Sequence, residues 1–205
     1  EWQALQMQAH MDIDQIAQMA KAQMAMTGEE LPEDMMKAME AMKDIPRYIL
    51  EPMYAAYFKG AYFSMAVRQA KGWEGLSNVY QSMPVSSEQV LHPEKYLTNR
   101  DEPTIIELPD LLFVDEAGWT KIDEAVHGEF YLDVMLRTQG VAKPKAAAAT
   151  AGWDGDIYRA YRNEAGDVFF VFASTWDSDE DAREFANAYA ASLQKKLGIE
   201  VAIAD

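Results

Sequence analysis

Two runs of β-forming residues near the C-terminus, Ile157 to Arg162 and Val168 to Ala173, flank the short stretch Asn163-Glu-Ala-Gly-Asp167. Runs of Val, Ile, Tyr and Phe joined by a loop with glycine read as an antiparallel hairpin. The next segment of the chain is equally directive. Ser178 is placed to cap a helix, with Asp179, Glu180 and Asp181 at its positive end and Lys195 and Lys196 at its negative end. Ala182, Phe185, Ala186, Tyr189, Leu193 and Leu197 form one buried stripe, and Gly198 ends it. A hairpin followed by an amphipathic helix demands a sheet with helices laid on it, so the C-terminal half is α+β. Ile199 to Ile203 reads as a further edge strand.

The N-terminal half has a different period. Trp2, Leu5, Ala9, Ile13, Ile16, Ala20 and Met24 recur at steps of three and four, predicting a helix over 2–26 that Gly28 ends. Pro32 begins a second helix with Met35, Met39 and Met42 on one face. Asp44 is expected to cap a third, with Pro46 in its first turn. From Tyr48 to Val67 apolar residues fall on nearly every face, predicting a central buried helix that Pro52 kinks or splits and in which Gly60 marks a close helix contact. Gly72-Trp73 ends this run, and 73–83 reads as a short helix.

The halves meet at a corner. Ser86 or Ser87 caps a short helical turn, and Pro93 biases His92 away from the α region, stopping it there. Thr98 to Pro103 is a polar turn. Thr104 to Leu108 and Trp119 to Ile122 are strand candidates. A helix follows His127-Gly128-Glu129 and closes at Gly140, and the alanine-rich 143–151 reads as a short packed helix. The division is thus a helical region, 1–97, and an α+β region, 98–205, in one continuous globular unit.

Composition narrows the function. With 34 acidic and 18 basic side chains the net charge is −16, which repels phosphate backbones and anionic lipid and argues against nucleic-acid partners. The chain has no cysteine, so disulfides, zinc–thiolate sites and cysteine nucleophiles are excluded. No stretch reads as a membrane span, since Glu51, Pro52, Lys59 and Gly60 interrupt the longest apolar run. Glu1-Trp2-Gln3 carries neither a start methionine nor a signal peptide, and suggests a processed or truncated chain with a segment upstream.

Nine of the thirteen methionines lie at or before residue 42. They read as a plastic helical core, as a groove for a partner peptide, or as a soft-metal site for Cu(I). The helical stripe favours burial. Motif chemistry is sparse: there is no glycine-rich phosphate loop, no nucleophile elbow and no H-E-x-x-H. His127 and Glu129 are two apart and point in different directions on a helix. Gly152-Trp153-Asp154-Gly155-Asp156 either brings two carboxylates to a turn or simply leads into the hairpin.

Several segments nevertheless occur together in order: Tyr57-x-x-Gly60-x-x-Phe63, Gly72-Trp73, Ser87-Glu-Gln-Val-Leu-His-Pro-Glu-Lys-Tyr96, Gly128-Glu129, Ala151-Gly-Trp-Asp-Gly-Asp-Ile-Tyr158 and Trp176-Asp-x-x-x-Asp181-Ala-x-x-Phe185. The set resembles a family of uncharacterised bacterial proteins related to zinc metallopeptidases, over most of residues 54–185. The resemblance implies a zinc site built on an upstream H-E-x-x-H with a glutamate from a later helix as third ligand. Glu1, in Glu1-Trp-Gln-Ala4, falls where that glutamate would stand. A zinc peptidase needs three protein ligands, a bound water and a general base. The resemblance therefore implies a C-terminal portion of a metallopeptidase-like protein, or a relative without the metal site, not catalytic alone and extracytoplasmic. Zinc enters only with an upstream H-E-x-x-H. By the same resemblance His92, Glu94, His127, Glu129, Trp153, Asp154 and Asp156 are candidates for lining a cleft, with His92 as donor to a developing oxyanion. The alternative is a non-catalytic protein-binding or scaffold module using the methionine-rich helices.

Overall fold

The computed structural model describes residues 7, 11, 13–28, 32–42, 44–111, 114, 118–198 and 200–201. The chain divides into two compact units, one of residues 1–84 and 89–99, the other of 85–88 and 100–205.

The first unit is helical. Helix α1 spans Ile13–Thr27, α2 Glu33–Met42 and α3 Arg47–Asn78. Gly28 has φ +69° and its N–H reaches Met24 O at 3.0 Å, the left-handed stop its position predicts. The expected cap at Asp44 is not made: Pro46 is the N-cap, with no side-chain cap bond. Pro52 lies within the helix without breaking it. The break falls instead at Gly72, whose φ 68° and ψ −168° are non-helical, and the helix resumes to Asn78.

Nor is α3 buried all round. Leu50, Glu51, Phe63 and Val67 are buried, whereas Ile49, Met53 and Tyr57, one turn apart, are exposed. Gly60 has open space where a Cβ would stand, so it marks no close contact. Arg47 ties the unit together, its Nε 2.8 Å from the buried Glu51 and its Nη1 2.9 Å from Asp14 on α1. The corner segment adds α4 (Ser87–Leu91), which runs from the second unit into the first, and α5 (Pro93–Leu97) in the first. The Tyr96 ring meets Phe63 edge-on at 5.0 Å and its hydroxyl donates to Ser82 O at 2.6 Å. Burial of most of the N-terminal methionines is not what α1 and α2 show: Met19, Met26 and Met36, off the predicted stripes, and Met42, on one, are exposed, and Met24 is half-buried. The side chains of Met35 and Met39 lie outside the described residues.

The second unit is α+β. Strands β1 (Trp119–Ala125), β2 (Trp153–Asn163) and β3 (Val168–Trp176) form an antiparallel sheet in the order β1-β2-β3. Helices α6 (Gly128–Thr138) and α7 (Lys143–Thr150) lie between β1 and β2, and α8 (Asp179–Leu197) follows β3. The hairpin and final helix form where their sequence requires. Asp167 N–H donates to the Asn163 side chain at 2.8 Å in the β2–β3 turn, and Ser178 accepts Asp181 N–H at 3.2 Å to cap α8.

The pairing alternates two faces of the sheet. One carries Tyr158, Phe172 and Trp176; Phe185 of α8 packs on Phe172 and Trp176, and Tyr189 stacks on Phe185. Leu132, Leu136, Ala146, Ala149, Trp153, Phe185 and Ala188 complete this core. The opposite face carries Trp119, Tyr161 and Phe169 in mutual ring contact.

One strand reading changes. Thr104 to Leu108 is not in a ladder, although Thr104 N–H donates to Asp154 O at 2.7 Å and lays this stretch beside the start of β2. The Gly152–Asp156 stretch leads into the hairpin, one of its two readings: Gly152 stands in a turn with φ +76°. From Trp153 it is strand, with a register shift between Trp153 and Gly155 that bulges at Asp154. The edge strand expected at 199–203 falls largely outside the described residues, and 200 and 201 are not in a strand.

Candidate functional site

Helix α6 begins with amide N–H groups that its own turns cannot satisfy. Asp156, from β2, supplies the acceptors. Its Oδ2 takes His127 N–H at 2.8 Å and its Oδ1 takes Gly128 N–H at 2.7 Å. Trp153 Nε1–H, three residues earlier on the same strand, donates to Oδ1 at 2.9 Å. Ser87 adds a fourth link, its hydroxyl accepting Phe130 N–H at 3.3 Å. The bulge at Asp154 lets Trp153 and Asp156 turn to the same side. Gly128 has φ +71°, and a Cβ there would stand 2.7 Å from Ser87 Oγ. The close approach and the left-handed backbone both require glycine.

The Asp156 side chain is fully buried. Burial raises its carboxyl, but the adjacent His127 ring and the hydrogen bonds from the two amides and the Trp153 indole outweigh that, and the group is held below the ordinary carboxylate range. His127 Nδ1 lies 3.5 Å from Asp156 Oδ2. Its ring tilts against Tyr158 at 4.5 Å and meets Phe172 edge-on at 6.1 Å. The Tyr158 hydroxyl donates to Asp123 at 2.5 Å, and this bond first, then burial and the carboxylate charges nearby, push the phenol up to about 12.

Beside this knot opens a cleft of about 470 Å³ within the second unit. Val85, Ile105, Ile106, Val126 and Ile157 form apolar walls, and His127 and Asp156 line it where α6 meets β2. One wall is fixed by close packing: a Cβ on Gly155 would stand 2.2 Å from Thr104 O.

The candidate residues are distributed unevenly. His127, Trp153 and Asp156 line this cleft. Glu129 is buried in the first turn of α6, near the positive helix end, and is not among the lining residues. Asp154 also stands outside the lining, its carbonyl and carboxylate holding Thr104 N–H. His92 and Glu94 belong to the first unit, where His92 Nδ1 is 3.7 Å from Glu94 Oε1. Glu1 lies outside the described residues.

The linking role of Ser87 had no signal in the sequence, because a serine before Glu88 reads equally as a cap for its own turn. Glu88, Asp101 and Asp177, also in the second unit, bring carboxylate oxygens within 4.8 Å of one another. Such an oxygen set suits Ca²⁺ or Mg²⁺ rather than zinc; Glu88 and Asp177 fall in segments that carry the metallopeptidase resemblance, but none of the three is among the cleft or zinc-ligand candidates it implies.

Residues 116–203 match the family described as "Domain of unknown function (DUF8575)". The match takes in β1 to α8 and leaves outside it the cleft walls at 85–87 and 103–106. No curated protein and no solved structure matches the chain. No described helix is long and apolar enough to cross a membrane.

Proposed function

We propose that this chain is the non-catalytic C-terminal portion of a metallopeptidase-like protein, and that its second unit holds an extended apolar segment of polypeptide in the cleft beside Asp156. The first clause rests on the resemblance over residues 54–185 and on a sequence without H-E-x-x-H. Zinc belongs to this reading only through an upstream segment that carries that motif, with Glu1 as the third-ligand candidate.

The second clause is carried by one observation: the buried carboxylate at the cleft already accepts two amides and an indole, while the walls are aliphatic. Asp156 therefore acts as a cap for α6, and what the cleft offers a ligand is mainly apolar contact. A Val- or Ile-sized side chain fully buried there would gain about 1.5–3 kcal/mol.

The test uses the full chain and an uncharged, extended valine-rich peptide. The expected result is binding with slowed amide exchange in 85–87 and 103–106, abolished by Ile157→Lys. No protection in those segments overturns the cleft reading. Cleavage of the peptide by this chain alone, with zinc supplied, overturns the non-catalytic one.

A second reading is favoured by the exposure of Met19, Met26 and Met36 along α1 and α2. It makes those helices a protein-binding surface of the first unit, since exposed thioethers adapt to varied apolar partners.

A further inference from the structure

We infer that the outer edge of β3 is a docking site for an extended polypeptide strand of uncharged residues flanked by lysine or arginine. The two edges of the sheet differ in kind. β1 is guarded: Lys121, Asp123 and Glu124 stand on it, and its register with β2 shifts between Lys121 and Asp123. Charges and a bulge are the usual means of refusing another strand. β3 has neither. Its nine residues, Val-Phe-Phe-Val-Phe-Ala-Ser-Thr-Trp, carry no charge and pair with β2 without a shift from Gly155 to Arg162. Val168 and Phe170 are exposed, and no residue of the strand is fully buried, whereas β2 buries Trp153, Gly155, Asp156 and Tyr161. Among the described residues no strand lies beyond β3. A regular, apolar edge of this length is a template for strand addition, in which main-chain hydrogen bonds give affinity.

Charge selects the occupant. The neutral edge is bracketed by Glu164 and Asp167 at one end and by Asp179 and Glu180 at the other. A second copy pairing antiparallel through β3 would set Asp167 of each copy towards the acidic far end of the other, and both copies carry −16. A foreign strand with basic ends meets net negative charge at both, although Arg162, paired with Val168, offsets one of the two carboxylates at the first end. This edge is distinct from the cleft beside Asp156, and either site can stand without the other.

The test uses the full chain and two synthetic peptides of alternating threonine and valine, one with lysine at both ends and one with glutamate. The lysine peptide is expected to bind about tenfold more tightly at low ionic strength, with the gap closing in high salt. Amide exchange should slow within 168–176. Val168→Lys, at an exposed position, should weaken the lysine peptide about tenfold with the fold retained. Equal binding of the two peptides, or protection confined to 85–87 and 103–106, overturns the proposal. So does self-association through β3 without peptide, which would make a second copy the occupant.

Discussion

The carboxylate of Asp156 on β2 takes the backbone N–H of His127 at 2.8 Å, tying the start of α6 to the sheet. With the bonds from Gly128 and Trp153 it makes one buried charge responsible for the joint between two layers. Asp156→Asn would turn an amide N–H₂ or a weaker carbonyl towards donors that want an anion. Losing charge-assisted bonds at a buried site is expected to cost about 3 kcal/mol at neutral pH. The folded-state pKa lies below the ordinary 3.8, so the unfolded chain binds the proton more readily. The stabilisation is present above 3.8 and lost as pH falls through the lower folded value. Denaturant unfolding of both proteins should therefore show a gap that is widest at neutral pH and narrows in acid.

The opposite limb belongs to Tyr158. Its hydroxyl donates to Asp123 across the β1–β2 pair, and its pKa is pushed up to about 12. A raised folded value means that the stabilising contribution is intact below 10, the ordinary tyrosine value, and lost as pH climbs through about 12. Ultraviolet titration should find one phenol ionising that late. Asp123→Asn should bring it back towards 10, since the largest cause of the shift goes with the carboxylate.

Much of the second unit was legible because local and long-range signals agree there. Ser178 caps α8, the 163–167 turn closes the hairpin, and Phe185 packs on Phe172 of the sheet as its spacing requires. In the first unit helical period was legible but burial was not. Apolar residues on every face of α3 say nothing about which face finds a partner, and Ile49, Met53 and Tyr57 remain exposed. Trp153 and Asp156 stand in a stretch that its two glycines mark in the sequence, yet a bulge cannot be read from alternation, so their shared hydrogen bond was hidden. Ser87 was hidden for a different reason: its acceptor role joins residues 43 apart.

Gly155→Ala tests the cleft wall. The added methyl would stand 2.2 Å from the Thr104 carbonyl oxygen, a backbone atom with no side-chain freedom to yield. Either the 103–106 segment lifts or β2 shifts, and overpacking of this kind costs about 1–3 kcal/mol. The melting temperature should drop, and the Thr104 amide, now held by Asp154 O at 2.7 Å, should exchange faster. An unchanged melting temperature with protected Thr104 would mean that the wall yields freely.

Gly72→Ala tests the break in α3. At φ 68° and ψ −168° the residue occupies a region open to glycine and strained for any residue with a Cβ. Nothing lies within 4 Å of the site a Cβ would take, so the cost is one of backbone conformation and not of packing. If the break is held, alanine should destabilise the first unit by about 2 kcal/mol. If the break is held only weakly, alanine should instead straighten the helix, because its helix propensity exceeds that of glycine by about 1 kcal/mol. The two outcomes separate at Trp73, whose ring lies 4.3 Å beneath the Arg68 guanidinium across the break. Straightening carries Trp73 to another face, so its fluorescence should change while helicity rises. Destabilisation should lower the melting temperature with the native Trp73 signal intact up to the transition, and that is the expected result.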